Sequence, residues 1–161
     1  MPIDFASRPN RIPWPPLIYA AAIGLALVLD GLWPDSPIRD RGPVLLVVGL
    51  AMMAAGAAFD FAAMLAMSRR RANILPHRAA SLLLTAGPFA ISRNPIYLGN
   101  AIMLAGAAPT LGNPWFLAVV PLVVVAITRL AIRREERHLA ARFGAAWTAY
   151  AARTPRWIGR L

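Results

Sequence analysis

Apolar residues along this chain gather into four runs, at about 14–33, 43–67, 96–111 and 115–132, separated by stretches rich in proline or arginine. Three of the runs have close to the roughly 20 residues that cross a bilayer core as helix. The first carries Trp14 and Trp33 near its ends, where aromatic belts lie. The third is shorter: about 16 residues give ~24 Å of helix against a core of ~30 Å, so it sits deep, tilts, or pairs with the fourth as a hairpin. The pattern predicts an all-α integral membrane bundle of about four transmembrane helices, one membrane domain over 1–161, with a cytoplasmic amphipathic helix at its C-terminal end.

The polar segments orient the bundle. Between the first two runs, PDSPIRDRG balances two aspartates with two arginines, and the GNP turn at Gly112–Pro114 carries no charge. The segments 68–95 and 133–161 are instead rich in arginine, and excess positive charge marks the cytoplasmic side. Both termini are therefore expected in the cytoplasm, in a bacterial cytoplasmic membrane. The opening MPIDFASRPNRIPWPP has Asp4 and five prolines ahead of any apolar run, unlike a cleaved signal peptide.

Composition agrees with a bilayer setting. The chain is 58% hydrophobic and 15% charged, where a soluble domain carries about 25% charge. Its mean hydropathy is +0.55. The net charge of +10 comes from 17 basic residues, all of them arginine, and because these flank apolar runs they indicate topology and no nucleic-acid partner. There is no cysteine, which excludes disulfides and thiolate chemistry. With two histidines, His77 and His138, and no cysteine, no metal site is expected. Neither a P-loop nor a dinucleotide fingerprint is present.

Three places hold candidate chemistry. Asp60 stands inside the second run, about two turns from its cytoplasmic end, where an ionised group costs roughly 2.5 to 3.5 kcal/mol and calls for a partner, a water-filled site or reach to the interface. Glu135 and Glu136 follow the fourth run within a helical pattern, and helix neighbours point about 100° apart, so one faces a ligand while the other supports it, or both pair with nearby arginines on a solvated face. The stretch SRNP, residues 92–95, breaks helix, since proline disfavours helical geometry in the residue before it and donates no hydrogen bond. Asn94 is thus expected to be extended, with Arg93 and Asn94 offering donors at the mouth of a cavity or simply leading into a helix. Gly87 and Pro88 make a second turn just upstream.

Together GPF at 87–89, R-N-P-x-Y-x-G from Arg93 to Gly99, the GNP turn, paired glutamates followed by FG, then Tyr150 and R-T-P-R-W resemble the isoprenylcysteine carboxyl methyltransferase and phospholipid methyltransferase family. The resemblance covers about residues 76–158 and implies an integral membrane enzyme using S-adenosyl-L-methionine. It implies that Gly87, Pro88, Arg93, Asn94, Tyr97, Gly99, Glu135 and Glu136 bind that cofactor. Gly99 would admit close backbone approach, and one glutamate would accept from the cofactor's ammonium. Arg153 would sit beside the substrate and, with Arg93, hold an anionic group in a bidentate fork. Many members have histidine where this chain has Asn94; asparagine keeps the hydrogen bonds but takes no proton.

The cofactor's sulfonium already activates the methyl group, so the resemblance assigns the protein chiefly alignment of a nucleophile and exclusion of water. A carboxylate needs no base, whereas an amine must first lose a proton, for which His138 is the available candidate. This favours carboxyl O-methylation of the isoprenylcysteine type over phospholipid N-methylation. The expected partners are a membrane lipid or lipid-like substrate and the bilayer. A non-enzymatic assembly or transport protein is the competing class.

Overall fold

The computed structural model describes residues 14–34, 38–40, 42–69 and 82–159. The proline-rich start, most of the arginine-rich connection with His77, and the last two residues lie outside them. The described residues form helices and turns with no strand: α1 Trp14–Leu32, α2 Pro43–Arg69, α3 Pro88–Ile91, α4 Pro95–Leu111, α5 Trp115–Ile127, a π-helical turn Thr128–Ile132, α6 Arg133–Phe143 and α7 Ala145–Arg153.

Proline sets the starts. Pro15 and Pro16, Pro43, Pro88 and Pro95 occupy first-turn positions, where the missing N–H costs nothing and φ is already helical. Asn94 ahead of Pro95 is non-helical, at φ −130° and ψ 60°, and its carbonyl accepts the Leu98 N–H at 3.0 Å to begin α4. Gly112 ends α4 in the left-handed region at φ 69°, packed under the Ile38 and Arg39 carbonyls. Asn113 then reaches the carbonyl of Ala26 in α1 at 3.2 Å and accepts the Trp115 N–H at 2.9 Å, turning the chain into α5.

Among the described residues, three helices are long and apolar enough to cross a membrane: α1, α2 and the continuous Trp115–Phe143 rod built from α5, the π-helical turn and α6. At 17 residues α4 is about 26 Å long and falls short, as its run predicts. Leu27, Val44, Val47, Phe61 and Leu122 point outward, more than half exposed. That arrangement suits a lipid surround, in which close contact between small residues drives helix association.

Four glycines seat α2 on α4. A Cβ added at Gly56 would stand 2.6 Å from the Gly99 carbonyl oxygen, and one at Gly106 would stand 2.9 Å from that of Gly49. On the other side, Ala22 and Ala26 of α1 pack with Phe116, Val119, Val123 and Ile127 of α5, and with Leu104 and Ala108 of α4.

The helices start within a residue of the apolar runs, and the differences from the expected runs fall at C-terminal ends, the rod from Trp115 running on to Phe143. The second helix continues to Arg69, because Met67 and Ser68 carry no helix-breaking signal. The expected single C-terminal helix is two, since Gly144 takes φ 50° and turns α7 away from α6.

Candidate functional site

The SRNP stretch and the C-terminal segment meet at one end of the bundle. Ser92, fully buried, accepts the Asn94 N–H at 3.1 Å and donates its hydroxyl to the Arg156 carbonyl at 3.1 Å. Asn94 donates its amide to that same carbonyl at 2.9 Å, and the Arg93 N–H goes to the Pro155 carbonyl at 2.9 Å. The polar groups that proline keeps out of a helix thus form a socket for residues 154–157. Tyr150 of α7 braces it by donating to the Phe89 carbonyl at 2.7 Å. Burial pushes the Tyr150 phenol up to about 12, against the lowering effect of the Arg93 guanidinium, so it remains a donor at neutral pH.

Glu136 ties the socket to α6. Its carboxylate takes Arg93 Nη1 at 2.9 Å, Arg156 Nε at 3.0 Å and Arg156 Nη2 at 2.6 Å. The hydrogen bond to Glu136 holds the Arg156 guanidinium more basic than usual. The Arg93 guanidinium also lies over the Trp147 ring, 5.8 Å from its centroid, and its Nε is buried with no hydrogen-bond partner.

Glu135 faces elsewhere. Its carboxylate is met by the Tyr97 hydroxyl at 3.5 Å, a long contact, while the Tyr97 carbonyl accepts from Tyr19 of α1 at 2.9 Å. The two glutamates therefore divide as their 100° offset requires: Glu136 is taken up by two arginines, and Glu135 retains most of its accepting capacity.

Beside the socket is a cavity of about 610 Å³ between α5, the π-helical turn and the C-terminal segment. Arg93, Arg129, Arg133, Arg153 and Arg156 line it, with Val124 and Val125 forming an apolar wall. Among the described residues, Arg129, Arg133 and Arg153 have no carboxylate partner. The π-helical turn brings Arg129 and Arg133, four residues apart, to one side, and it is anchored where Trp157 Nε1 donates to Thr128 Oγ1 at 3.0 Å.

The sequence-predicted residues thus fall into several groups. Arg93, Asn94 and Glu136 belong to one network, and Tyr97 and Glu135 form a second pair. Arg153 lines the arginine cavity with Arg93, its own Nε held by the Ala149 carbonyl at 3.2 Å. Gly87 and Pro88 start α3, where Gly87 needs φ 64° and has open space around it. Gly99 faces α2 and packs against the Asp60 carboxylate and Gly56. Sequence reasoning left Ser92, Arg129, Arg133, Arg156 and Trp157 unassigned; for Arg129 and Arg133 the four-residue spacing was the available signal. His138 is buried at 1% exposure, away from the cavity lining.

The fold and this site define a class, a helical membrane protein with a charged pocket closed at one end by its C-terminal segment. Residues 44–146 match the phospholipid methyltransferase family, and the chain belongs to it. A curated relative, the cobalt-zinc-cadmium resistance protein CzcN of Cupriavidus metallidurans, is 28% identical over 132 residues, covering 82% of this chain and 54% of its own. The chain thus spans about half the length of that relative. No solved structure matches this chain. Metal resistance is part of that relative's name; among the described residues here, no three histidine, aspartate or glutamate side chains converge.

Proposed function

We propose that this protein is an S-adenosyl-L-methionine-dependent methyltransferase whose acceptor is a membrane-dissolved amphiphile with an anionic group. The observation that carries the reading is the arginine cavity. Three guanidiniums without carboxylate partners, plus the buried unpartnered Nε of Arg93, border a space with an apolar valine wall. An anionic head group satisfies the first feature and a lipid chain the second.

The residues fit the cofactor's charges. Glu135, held only by a long contact to Tyr97, keeps accepting capacity that an ammonium could use. When bound, the cofactor supplies a methyl group already activated by its sulfonium. The chain's own residues then bind, orient and exclude water: Glu136 with Arg93 and Arg156 closes the C-terminal segment over the site, and Asn94 holds that closure by a neutral hydrogen bond. Asn94 therefore takes a positioning role that needs no proton transfer. The site is read as cytoplasmic, at the arginine-rich end of the bundle.

Carboxyl O-methylation of the isoprenylcysteine type uses the cavity directly, because the anion it holds is then the nucleophile and needs no base. Phospholipid N-methylation is the second reading. It is favoured by the family match, and in it the arginines hold the phosphate. Titration of purified protein in detergent with S-adenosyl-L-methionine, followed by transfer of its labelled methyl group to prenylated cysteine or to phosphatidylethanolamine, tests both. Saturable binding with label in either acceptor supports the proposal, and no binding by folded protein overturns it.

A further inference from the structure

The rod from Trp115 to Phe143 carries a π-helical turn at Thr128–Ile132. Its buried positions record the change. Val119, Val123 and Ile127 follow one another at intervals of four, and Ala131 and Ile132 are then both fully buried. A π-helical turn takes in about one residue more than an α-helical turn, so the helix beyond it is turned back by ~100°.

That rotation decides what the cavity contains. Val125 and Arg133 both line it, eight residues apart. In an unbroken α-helix that spacing is ~800°, which leaves Arg133 about 80° out of line with Val125. With the π-helical turn in place the offset falls to within ~20°, and Arg133 joins Val125 and Arg129 in one stripe along the wall. Arg133 reaches the cavity because the helix is widened ahead of it.

Trp157 ties that widened turn from outside the rod. Its Nε1 donates to Thr128 Oγ1 at 3.0 Å, at the first residue of the turn. An indole N–H is a donor only, and the threonine hydroxyl, which in a helix otherwise bonds back to the preceding turn, accepts it. Trp157 is itself held in place. Its ring packs on the buried cluster that contains Ile127 and Ile132, and Arg156 before it is fixed by Glu136 at its guanidinium and by Ser92 and Asn94 at its carbonyl. The C-terminal segment is thus a post to which the turn is fastened.

We infer that Trp157 is a positioning residue: through its bond to Thr128 it holds the π-helical turn that brings Arg133 beside Arg129, and so sets the cavity's preference for an anionic over a neutral head group, an assignment that rests on the anion-binding reading of that cavity. Trp157 acts on the occupant through Arg133 and not by a polar contact of its own, because its N–H is already committed.

The test uses the full chain in neutral maltoside detergent, titrated calorimetrically with dodecyl phosphate and with dodecanol, a neutral amphiphile of the same chain length. The ratio of the two affinities cancels apolar contacts and reads the anion preference. The wild type is expected to favour the phosphate by about tenfold or more. Trp157→Phe, which keeps a ring, and Thr128→Val, which keeps the branched shape, are each expected to cut that ratio about fivefold with helical content unchanged, and Thr128→Ser to retain it. In an Arg133→Ala background, Trp157→Phe is expected to make no further difference, since both changes remove the same contact. A ratio unchanged in Trp157→Phe and Thr128→Val, or a loss from Trp157→Phe that persists undiminished beside Arg133→Ala, would show a merely structural bond and overturn the inference. If Trp157→Phe does not fold, Thr128→Val against Thr128→Ser decides, and equal ratios in those two overturn it. Equal affinities for the two amphiphiles in the wild type would strike the anion-binding reading itself and the inference with it, so the wild-type ratio tells the two failures apart.

Discussion

The side-chain amide of Asn94 donates to the backbone carbonyl of Arg156 at 2.9 Å, joining positions 62 residues apart. The bond explains why a helix-breaking polar stretch stands in front of an apolar helix. Ser92, Arg93 and Asn94 have polar groups to spend because Pro95 keeps them out of the α4 ladder, and all three spend them on residues 155 and 156.

Asn94→Ala removes one of the two donors to the Arg156 carbonyl. Because the Ser92 hydroxyl still serves that oxygen, the expected cost is about 1 kcal/mol of stability, the net worth of a typical hydrogen bond. Thermal unfolding in detergent measures it. Asn94→His is expected to recover most of the loss, since an imidazole N–H can donate to the same carbonyl; a histidine variant no better than alanine would count against this positioning role.

Glu135 and Glu136 are expected to separate by phenotype. Glu136→Gln breaks a two-arginine network that is largely buried, with an expected loss of about 2 kcal/mol and faster hydrogen exchange in residues 154–157. Glu135→Gln leaves that network intact and is expected to lower S-adenosyl-L-methionine affinity about tenfold with little change in unfolding temperature. Identical effects of the two substitutions would contradict the division seen in the site.

Arg153→Ala and Arg129→Ala each remove a guanidinium from the cavity that has no carboxylate partner to leave stranded. Cofactor binding is expected to persist while the KM for an anionic amphiphile rises about tenfold per arginine, roughly the 1.4 kcal/mol of one charge-assisted hydrogen bond. Steady-state kinetics with a fixed saturating cofactor checks this. A fall in cofactor affinity with unchanged KM would instead assign these residues to the cofactor.

Gly56→Leu has no room against the Gly99 carbonyl and Met103, and overpacking there is expected to cost at least about 2 kcal/mol. Gly24→Leu, at a position with nothing within 4 Å, is the matched control and is expected to be neutral or slightly stabilising through helix propensity. Unfolding temperatures of the two variants side by side test whether the α2 and α4 contact is as close as described.

Run lengths and prolines by themselves determined where the four main helices begin, because each of those signals acts within one or two turns of the chain. Trp14, Pro43, Pro95 and Trp115 begin helices where the pattern puts them, and the short third run yields a short α4. The tertiary structure alone decided which partner each polar side chain takes. Periodicity shows that Glu135 and Glu136 diverge, but not that Glu136 meets Arg93 and Arg156 while Glu135 meets Tyr97. Nor does it show that Gly99 accommodates Asp60, or that Arg129 and Arg133 join Arg153 around one cavity. Those pairings depend on how distant helices cross and on a π-helical turn that shifts the face of the rod, and neither leaves a local trace in the order of residues.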